Sequence, residues 1–248
     1  MLSCQVAMSK CYCYNRCQIS EKRQWRYIIL DDFENDYEKY YENKYAVKNM
    51  PFPIITAIII AINVIVYLLL EIKGSTYDVD FMLKYGALSY DRVLYHHEYY
   101  RIITSFFMHF GHEHLLSNMF VFGLLGYYLE NILHRWNYLA VYFLSGIASG
   151  IASIMWNYYQ GEYCVSVGAS GAIFGIIGAL FFLIVVNKGR LEGITFGRII
   201  LFLILALYSG YENYDVDNAA HIGGFISGII FMAVIYIGKI ISKKMFSH

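Results

Sequence analysis

Two short runs of small residues carry the side chains that could do chemistry in this sequence. In the first, Gly168-Ala169-Ser170-Gly171, a serine hydroxyl stands between residues that let the backbone turn tightly. The second, Ala220-His221, supplies an imidazole, which is the usual base for activating a serine nucleophile. These residue types predict acyl-transfer chemistry at Ser170 if the fold brings His221 beside it.

A tetrahedral intermediate of acyl transfer also needs hydrogen-bond donors for its oxyanion. Ser170 opens an apolar run, and the free N–H groups at the start of a helix suit an oxyanion. His114 and Asn118 are four residues apart, so they share one helix face. An asparagine amide can be such a donor, and losing one costs about 2.7–4 kcal/mol in the transition state.

The same residues also have structural explanations, which stay open at this point. Small residues around Ser170 let helices pack closely without any chemistry. His221 would also be stable as a buried, hydrogen-bonded histidine. The pair His114 and Asn118 could simply tie a loop to a helix bundle. Only the combination at matching depth favours catalysis.

Other hydrolase classes fail on residue type. Neither His97-Glu98 nor His112-Glu113 continues as His-Glu-x-x-His, the spacing that a helical zinc protease needs. No apolar span contains an aspartate, which excludes an aspartyl intramembrane protease. Four N-terminal cysteines lack paired Cys-x2-Cys spacing, so we predict no metal site there: Cys4, Cys11, Cys13 and Cys17.

The elements that must position these residues are membrane spans. Hydrophobic residues make up 58% of the 248 residues and charged residues only 15%, against about 25% charged in soluble domains. A membrane helix needs about 17–25 mostly apolar residues. Six apolar runs approach this length, namely residues 53–71, 115–133, 138–158, 170–186, 194–208 and 219–241. The sequence therefore predicts an all-α membrane protein with six transmembrane helices.

The basic residues predict the orientation of these spans. Eight of the 19 lysines and arginines precede the first span, and seven more fall on the same side if the six spans alternate. Only four lie on the other side, all in the long loop after span one: Lys73, Lys84, Arg92 and Arg101. The positive-inside rule then makes both termini cytoplasmic and puts Ser170 and His221 near the external face.

Two stripes of small residues should bring spans four and six into close contact. Span four repeats small residues at every fourth position from Gly171 to Ala179, and span six does the same from Ala220 to Gly228. Such stripes allow helix backbones to approach closely. This packing should therefore place His221 close to Ser170.

Taken together, these residues resemble the rhomboid family of intramembrane serine proteases. The resemblance covers about residues 53–241 and rests on motifs in matching order and spacing: Tyr100-Arg101, Phe107-Met108-His109, His114-Leu115-Leu116-Ser117-Asn118-Met119, Glu130, Gly168-Ala169-Ser170-Gly171, and Ala220-His221 followed by Gly224 and Gly228. It implies a six-helix bundle of rhomboid type around a water-filled cavity that opens to the outside.

The resemblance also implies roles for individual residues. Ser170 and His221 would form a catalytic dyad without an acidic third member, and no metal or organic cofactor is expected. The oxyanion would contact the Ser170 backbone N–H, His114 and Asn118. The site would further be supported by Gly168 and by Phe174, whose ring packs on the histidine. Arg101 and Glu130 would help to hold the external loop, and a mobile fifth helix would admit substrate.

These inferences divide the chain and suggest its partners. Residues 1–52 form a cytoplasmic segment or small domain with an unknown partner, residues 53–241 the protease domain with a long external loop at 73–113, and residues 242–248 a basic cytoplasmic tail. We expect transmembrane protein substrates in the lipid bilayer, no nucleic acid, and a multi-pass protein of the plasma membrane. The alternatives are a catalytically inactive rhomboid-like protein that binds client transmembrane helices and, with less support, a small transporter, although no internal repeat is visible.

Overall fold

The computed structural model describes residues 50–187, 190–191, 194–197, 199–200, 203 and 217–246. In these ranges the chain is mostly helical, with α1 (Ile54–Lys73), α2 (Val79–Tyr85), α3 (Tyr90–Leu94), α4 (Arg101–Thr104), α5 (Gly111–Ile132), α6 (Arg135–Gln160), α7 (Ser170–Val186) and α8 (Asn218–Phe246). A 3₁₀ turn, Ser105–Phe107, follows α4. An antiparallel pair of two-residue strands, β1 (Arg190–Leu191) and β2 (Ile194–Thr195), follows α7.

The long helices match five of the six apolar runs. Three of them are long and apolar enough to cross a membrane: α1, α6 and the stretch Asn218–Ser242 of α8. Helix α7 is apolar but shorter, with 17 residues, and α5 carries polar residues in its first turns. The run predicted at 194–208 is wrong at its start, because Ile194–Thr195 forms a strand, and most of its second half lies outside the described residues.

Helix α7 lies at the centre of the bundle. It contains no charged residue, and apolar side chains point outward all around its axis, a pattern typical of a helix buried on every side. It packs against α5, α6 and α8, and most of its residues are buried. Ser170 is the first residue of this central helix, so the serine lies where the helix enters the core of the bundle.

Helices α7 and α8 run parallel with their backbones in contact. A Cβ added at Gly224 of α8 would meet the carbonyl oxygen of Gly171 in α7. Further along α7, a Cβ added at Gly178 would meet the carbonyl oxygen of Phe225 in α8. Serines of α6 fill the other side of α7, with Ser149 beside Gly171. The predicted close packing of small residues is therefore confirmed.

At the opposite end of the bundle, Glu130 caps the first turn of α1. Its carboxylate accepts hydrogen bonds from the backbone N–H of Ile55 and of Thr56, both at 2.8 Å, and from Oγ1 of Thr56 at 2.7 Å. Helix α1 has no side-chain cap at Pro53, so these bonds satisfy amides that a helix start leaves unpaired. Glu130 thus joins α5 to α1 at this end, away from the external loop that it was expected to support.

The long segment between α1 and α5 is folded, as its length suggested. Asp78 caps α2 by accepting from Asp80 N and Phe81 N, and Ser89 caps α3. Arg101 is only 3% exposed and donates from Nη1 to the carbonyl oxygens of Leu83 and Ala87 at 2.6 and 2.8 Å. One buried guanidinium thereby holds the chain between α2 and α3.

Candidate active site

The chain that leads into α7 is fixed by the 3₁₀ turn that follows α4. Gly168 adopts φ +121°, a conformation that L side chains rarely take, and its N–H donates to the carbonyl of Ser105 at 2.9 Å. A bridge between Leu88 and Ser166 holds the residues just before it. Ser170 follows as the first residue of α7, so its backbone N–H has no partner within the helix.

His221 lies in the first turn of α8, directly beside this serine. Its Nε2 atom is 3.0 Å from Oγ of Ser170, a hydrogen-bond distance. Phe174, one turn after Ser170, stacks on the imidazole with ring centroids 4.2 Å apart and planes 10° from parallel. The histidine is 8% exposed. A partly buried serine hydroxyl is therefore in contact with a buried base.

His114 and Gly168 lie together at the start of α7. A Cβ built at Gly168 would be 2.9 Å from Cε1 and 3.0 Å from Nε2 of His114. Only glycine leaves room for the ring here, which explains the residue type beyond its backbone angle. The His114 ring thus reaches the backbone that precedes Ser170, where an oxyanion donor would have to be.

Asn118 lies one turn further along α5 and is 8% exposed. Its Nδ2 donates to the carbonyl oxygen of His114 at 2.9 Å. Since an asparagine amide has two donor hydrogens, one remains for another acceptor. The structure thus brings Ser170, His221, Phe174, His114 and Gly168 into direct neighbourhood, with Asn118 attached through its bond to His114.

Arg101, the other residue singled out for loop support, touches the site only through the loop. Besides its two carbonyl partners, its Nε forms an ion pair with Glu98. The hydrogen bond from Arg101 holds the pKa of the half-buried Glu98 carboxyl below its usual range. The pair therefore stays charged at neutral pH.

His109 lies next to the site, although the sequence motifs assign no separate role to it. It is fully buried, and its Nε2 accepts from the backbone N–H of Ala169 at 3.4 Å. Burial, with a smaller contribution from nearby His114, lowers the pKa of His109 to about 3, so the ring is neutral and can accept. Its position two residues after the Phe107 turn was visible in the sequence, but its partner across 60 residues was not.

A polar cluster beside α8 was also missed. Asp217 accepts from the backbone N–H of Ala220 at 2.9 Å and from the hydroxyl of Ser153, which lies on α6. Asn157 donates to Ser153 at 3.4 Å. An aspartate just before an apolar run is a helix-start signal, and Ser149, Ser153 and Asn157 follow a four-residue period, so both features could have been read from the sequence.

Fold and site together define a helical integral membrane protein with a partly buried serine–histidine pair at the start of its central helix. The sequence from residue 96 to residue 238 matches the family model described as the Rhomboid domain. Because this match covers more than half of the chain, the chain belongs to the rhomboid family, a family of membrane-embedded proteases.

Several named relatives match as well. The chain is 30% identical to Rhomboid protease AarA of Providencia stuartii over 206 residues, which cover 74% of the chain and 72% of that protein. It is 30% identical to Rhomboid protease GluP of Bacillus subtilis (strain 168) over 187 residues, 75% of the chain and 36% of the relative. It is 36% identical to RHOMBOID-like protein 5 of Arabidopsis thaliana over 147 residues, 58% of the chain and 46% of the relative. The chain thus spans less than half the length of these last two proteins.

Proposed function

We propose that this chain is an intramembrane serine endopeptidase that hydrolyses peptide bonds in or near the transmembrane segments of membrane-anchored proteins. The observation that carries the proposal is the contact between Oγ of Ser170 and Nε2 of His221 at 3.0 Å, at the start of a buried helix. Two relatives are named proteases, and that agrees with hydrolysis.

In the first half of the reaction His221 is the general base. Nε2 takes the proton from Oγ of Ser170 while the oxygen attacks the scissile carbonyl carbon, and the carbonyl oxygen becomes an oxyanion. When the intermediate collapses, the C–N bond breaks and His221 gives the proton to the leaving amine. An acyl-enzyme remains on Ser170, and water that loses a proton to His221 hydrolyses it.

Phe174 supports this role because it limits how the imidazole can tilt. Among the described residues, Nδ1 of His221 has no hydrogen-bond partner. The ring is therefore held by its bond to Ser170 and by the stacked phenyl group rather than by a carboxylate. A dyad without an acidic third member fits this arrangement.

The oxyanion would be stabilised by the Ser170 backbone N–H, by His114 and by the second amide hydrogen of Asn118. The dipole of α7 favours negative charge at the same point. His114 already lies against Gly168, just before the nucleophile. These donors would act in a place that lipid and packed side chains screen from bulk water, where electrostatic stabilisation is strongest.

The directions of the helices support the proposed membrane topology. Because α7 and α8 are parallel, the chain between them has to return to the Ser170 end of the bundle, and that return supports a sixth crossing at the fifth apolar run. With the basic residues on one side, both termini would be cytoplasmic and the site would open outward. A multi-pass protein of the plasma membrane is the proposed location.

Transmembrane protein substrates and the bilayer itself are the proposed partners. A helical substrate must unwind locally before its carbonyl can reach Ser170, so glycine or other weak helix formers near the cleavage point should favour it. The proposed division of the chain has a cytoplasmic segment at 1–52 with its own unknown partner, a protease domain at 53–241 and a basic tail at 242–248. Neither cofactor nor metal enters the reaction.

Cleavage of a transmembrane reporter in liposomes tests the proposal. We expect the wild-type chain to cleave it and the Ser170→Ala variant to lose cleavage, while Ser75→Ala, an exposed serine of the external loop, keeps it. Equal cleavage by wild type and Ser170→Ala would refute serine catalysis at this site. A folded wild-type protein that binds the reporter without cleaving it would favour the inactive, helix-binding alternative.

A further inference from the structure

We propose that Asp217 is a positioning residue for His221: it fixes the start of α8 and anchors it to α6, so that the imidazole is held at Ser170. The inference rests on the proposed function, since it assigns a role in the reaction of the same pair. It adds a residue that neither the motifs nor the family match singles out.

The first step is the cap. Asp217 directly precedes α8, and its Oδ1 accepts from the backbone N–H of Ala220 at 2.9 Å, the bond that an N-cap residue makes to the third residue of its helix. Its own carbonyl oxygen accepts from the N–H of His221 at 3.1 Å. Both bonds act on the turn that contains the histidine, and they set where that turn begins.

The second step is the anchor to α6. The other carboxylate oxygen of Asp217 accepts from the hydroxyl of Ser153, which is 1% exposed and in turn receives a bond from Asn157. A cap alone would fix only the local turn. The bond across to α6 also fixes the turn against the helix whose Ser149 lies beside Gly171, one residue from the nucleophile.

The third step is that no carboxylate is bonded to the His221 ring among the described residues. Both carboxylate oxygens of Asp217 are engaged by Ala220 and Ser153, and within the described ranges Nδ1 of His221 has no partner. Asp217 therefore acts through the backbone and not as the acid of a triad. A shift of about 1 Å at a reacting group can cost about a hundredfold in rate, so holding the turn matters for the rate.

A second aspartate cap in the chain offers a matched control. Asp78 caps α2 in the same way, accepting from the backbone N–H groups of Asp80 and Phe81. It lies in the long loop between α1 and α5, and both of these hydrogen bonds stay within α2 rather than reaching Ser170 or His221. Removing it should cost similar helix stability without moving the histidine.

The experiment measures kcat and KM for cleavage of a transmembrane reporter by the full chain in liposomes. We expect Asp217→Ala to lower kcat by about ten- to a hundredfold with KM nearly unchanged. Asp217→Asn keeps one oxygen for the cap bond to the Ala220 N–H, and its Nδ2 can donate to the Ser153 hydroxyl, which then accepts instead of donating. Because asparagine caps as well as aspartate, this variant should stay within about threefold of wild type. Asp78→Ala should keep the wild-type kcat.

The inference is overturned if Asp217→Ala keeps the wild-type kcat, if Asp78→Ala loses as much, or if Asp217→Asn is as inactive as the alanine variant. Should Asp217→Ala fail to fold, Ser153→Ala decides, since it leaves the cap and removes the anchor. An unchanged kcat in Ser153→Ala then rejects the proposal, and a several-fold loss that leaves KM in place supports it. Failure of the proposed function would look different, with wild type no more active than Ser170→Ala.

Discussion

At the scale of single residues, the site depends on which side chains are absent as much as on which are present. Gly168 has φ +121° and faces His114 at a distance that leaves no room for a Cβ. The same glycine donates its N–H to Ser105 and so fixes the turn before the nucleophile. A residue without a side chain therefore places both the serine and its proposed oxyanion donor.

Replacing Gly168 and, as a control, Gly161 separates the effect of backbone strain from the effect of the contact with His114. We expect Gly168→Ala to destabilise the protein by about 1–3 kcal/mol through backbone strain and to lower proteolytic activity because the His114 ring must move. Gly161→Ala is the control, since Gly161 also has a positive φ, +67°, but nothing within 4 Å of its Cβ position. Thermal melting and reporter cleavage measure both.

The control should lose some stability and retain its activity. If Gly168→Ala melted lower but cleaved the reporter as fast as Gly161→Ala, the contact with His114 would have no part in the reaction. The direct link from Gly168 to the proposed oxyanion site would then be rejected.

At the scale of elements, the contact between α7 and α8 carries His221 to Ser170. The two helices approach until backbone meets backbone, with Gly224 against the carbonyl of Gly171 and Gly228 against that of Gly175. In a bilayer the hydrophobic effect does not drive such contacts, so close packing of small residues does. The distance between nucleophile and base is thus set by glycines one to two turns below them.

A methyl group at this contact should push the helices apart. We expect Gly224→Ala to cost about 1–3 kcal/mol, as overpacked cores do, and to reduce activity strongly because His221 moves away from Ser170. Gly238→Ala, on the same helix with open space at its Cβ position, should be neutral or slightly stabilising. Melting temperature and reporter cleavage again give the comparison.

Full activity of Gly224→Ala would show that the site tolerates a larger distance between α7 and α8. The close approach would then be a matter of stability only.

Much of the helix packing at the site can be predicted from the sequence, and the contacts that cannot be predicted have physical reasons. Ser170, His221 and the two small-residue stripes follow from residue type and a four-residue period, which are local signals. The bonds of Asp217 to Ser153 and of Glu130 to Thr56 join residues 64 and 74 positions apart, and nothing local encodes them. At Ile194–Thr195 the sequence predicts a helix and the structure has a strand, because a short apolar run fits both periods.

At the scale of the whole molecule, the short central helix agrees with the proposed hydrolysis inside a membrane. With 17 residues, α7 is about 25 Å long, less than the roughly 30 Å of a bilayer core. Its first residue can therefore lie below the membrane surface while its last reaches the other side. The polar side chains of α5, α6 and α8 gather around that buried helix start, where the proposed reaction needs water.

The central claim is that His221 makes Ser170 a nucleophile. The most direct measurement is labelling of the full chain by a fluorophosphonate, in which Oγ of Ser170 bonds to phosphorus, fluoride leaves and His221 takes the hydroxyl proton. Mass spectrometry should find the adduct on Ser170 in the wild type, none in Ser170→Ala, and labelling slowed by about 10²–10⁴-fold in His221→Ala. A folded wild-type protein without the adduct on Ser170, or equal labelling in His221→Ala, would contradict the account.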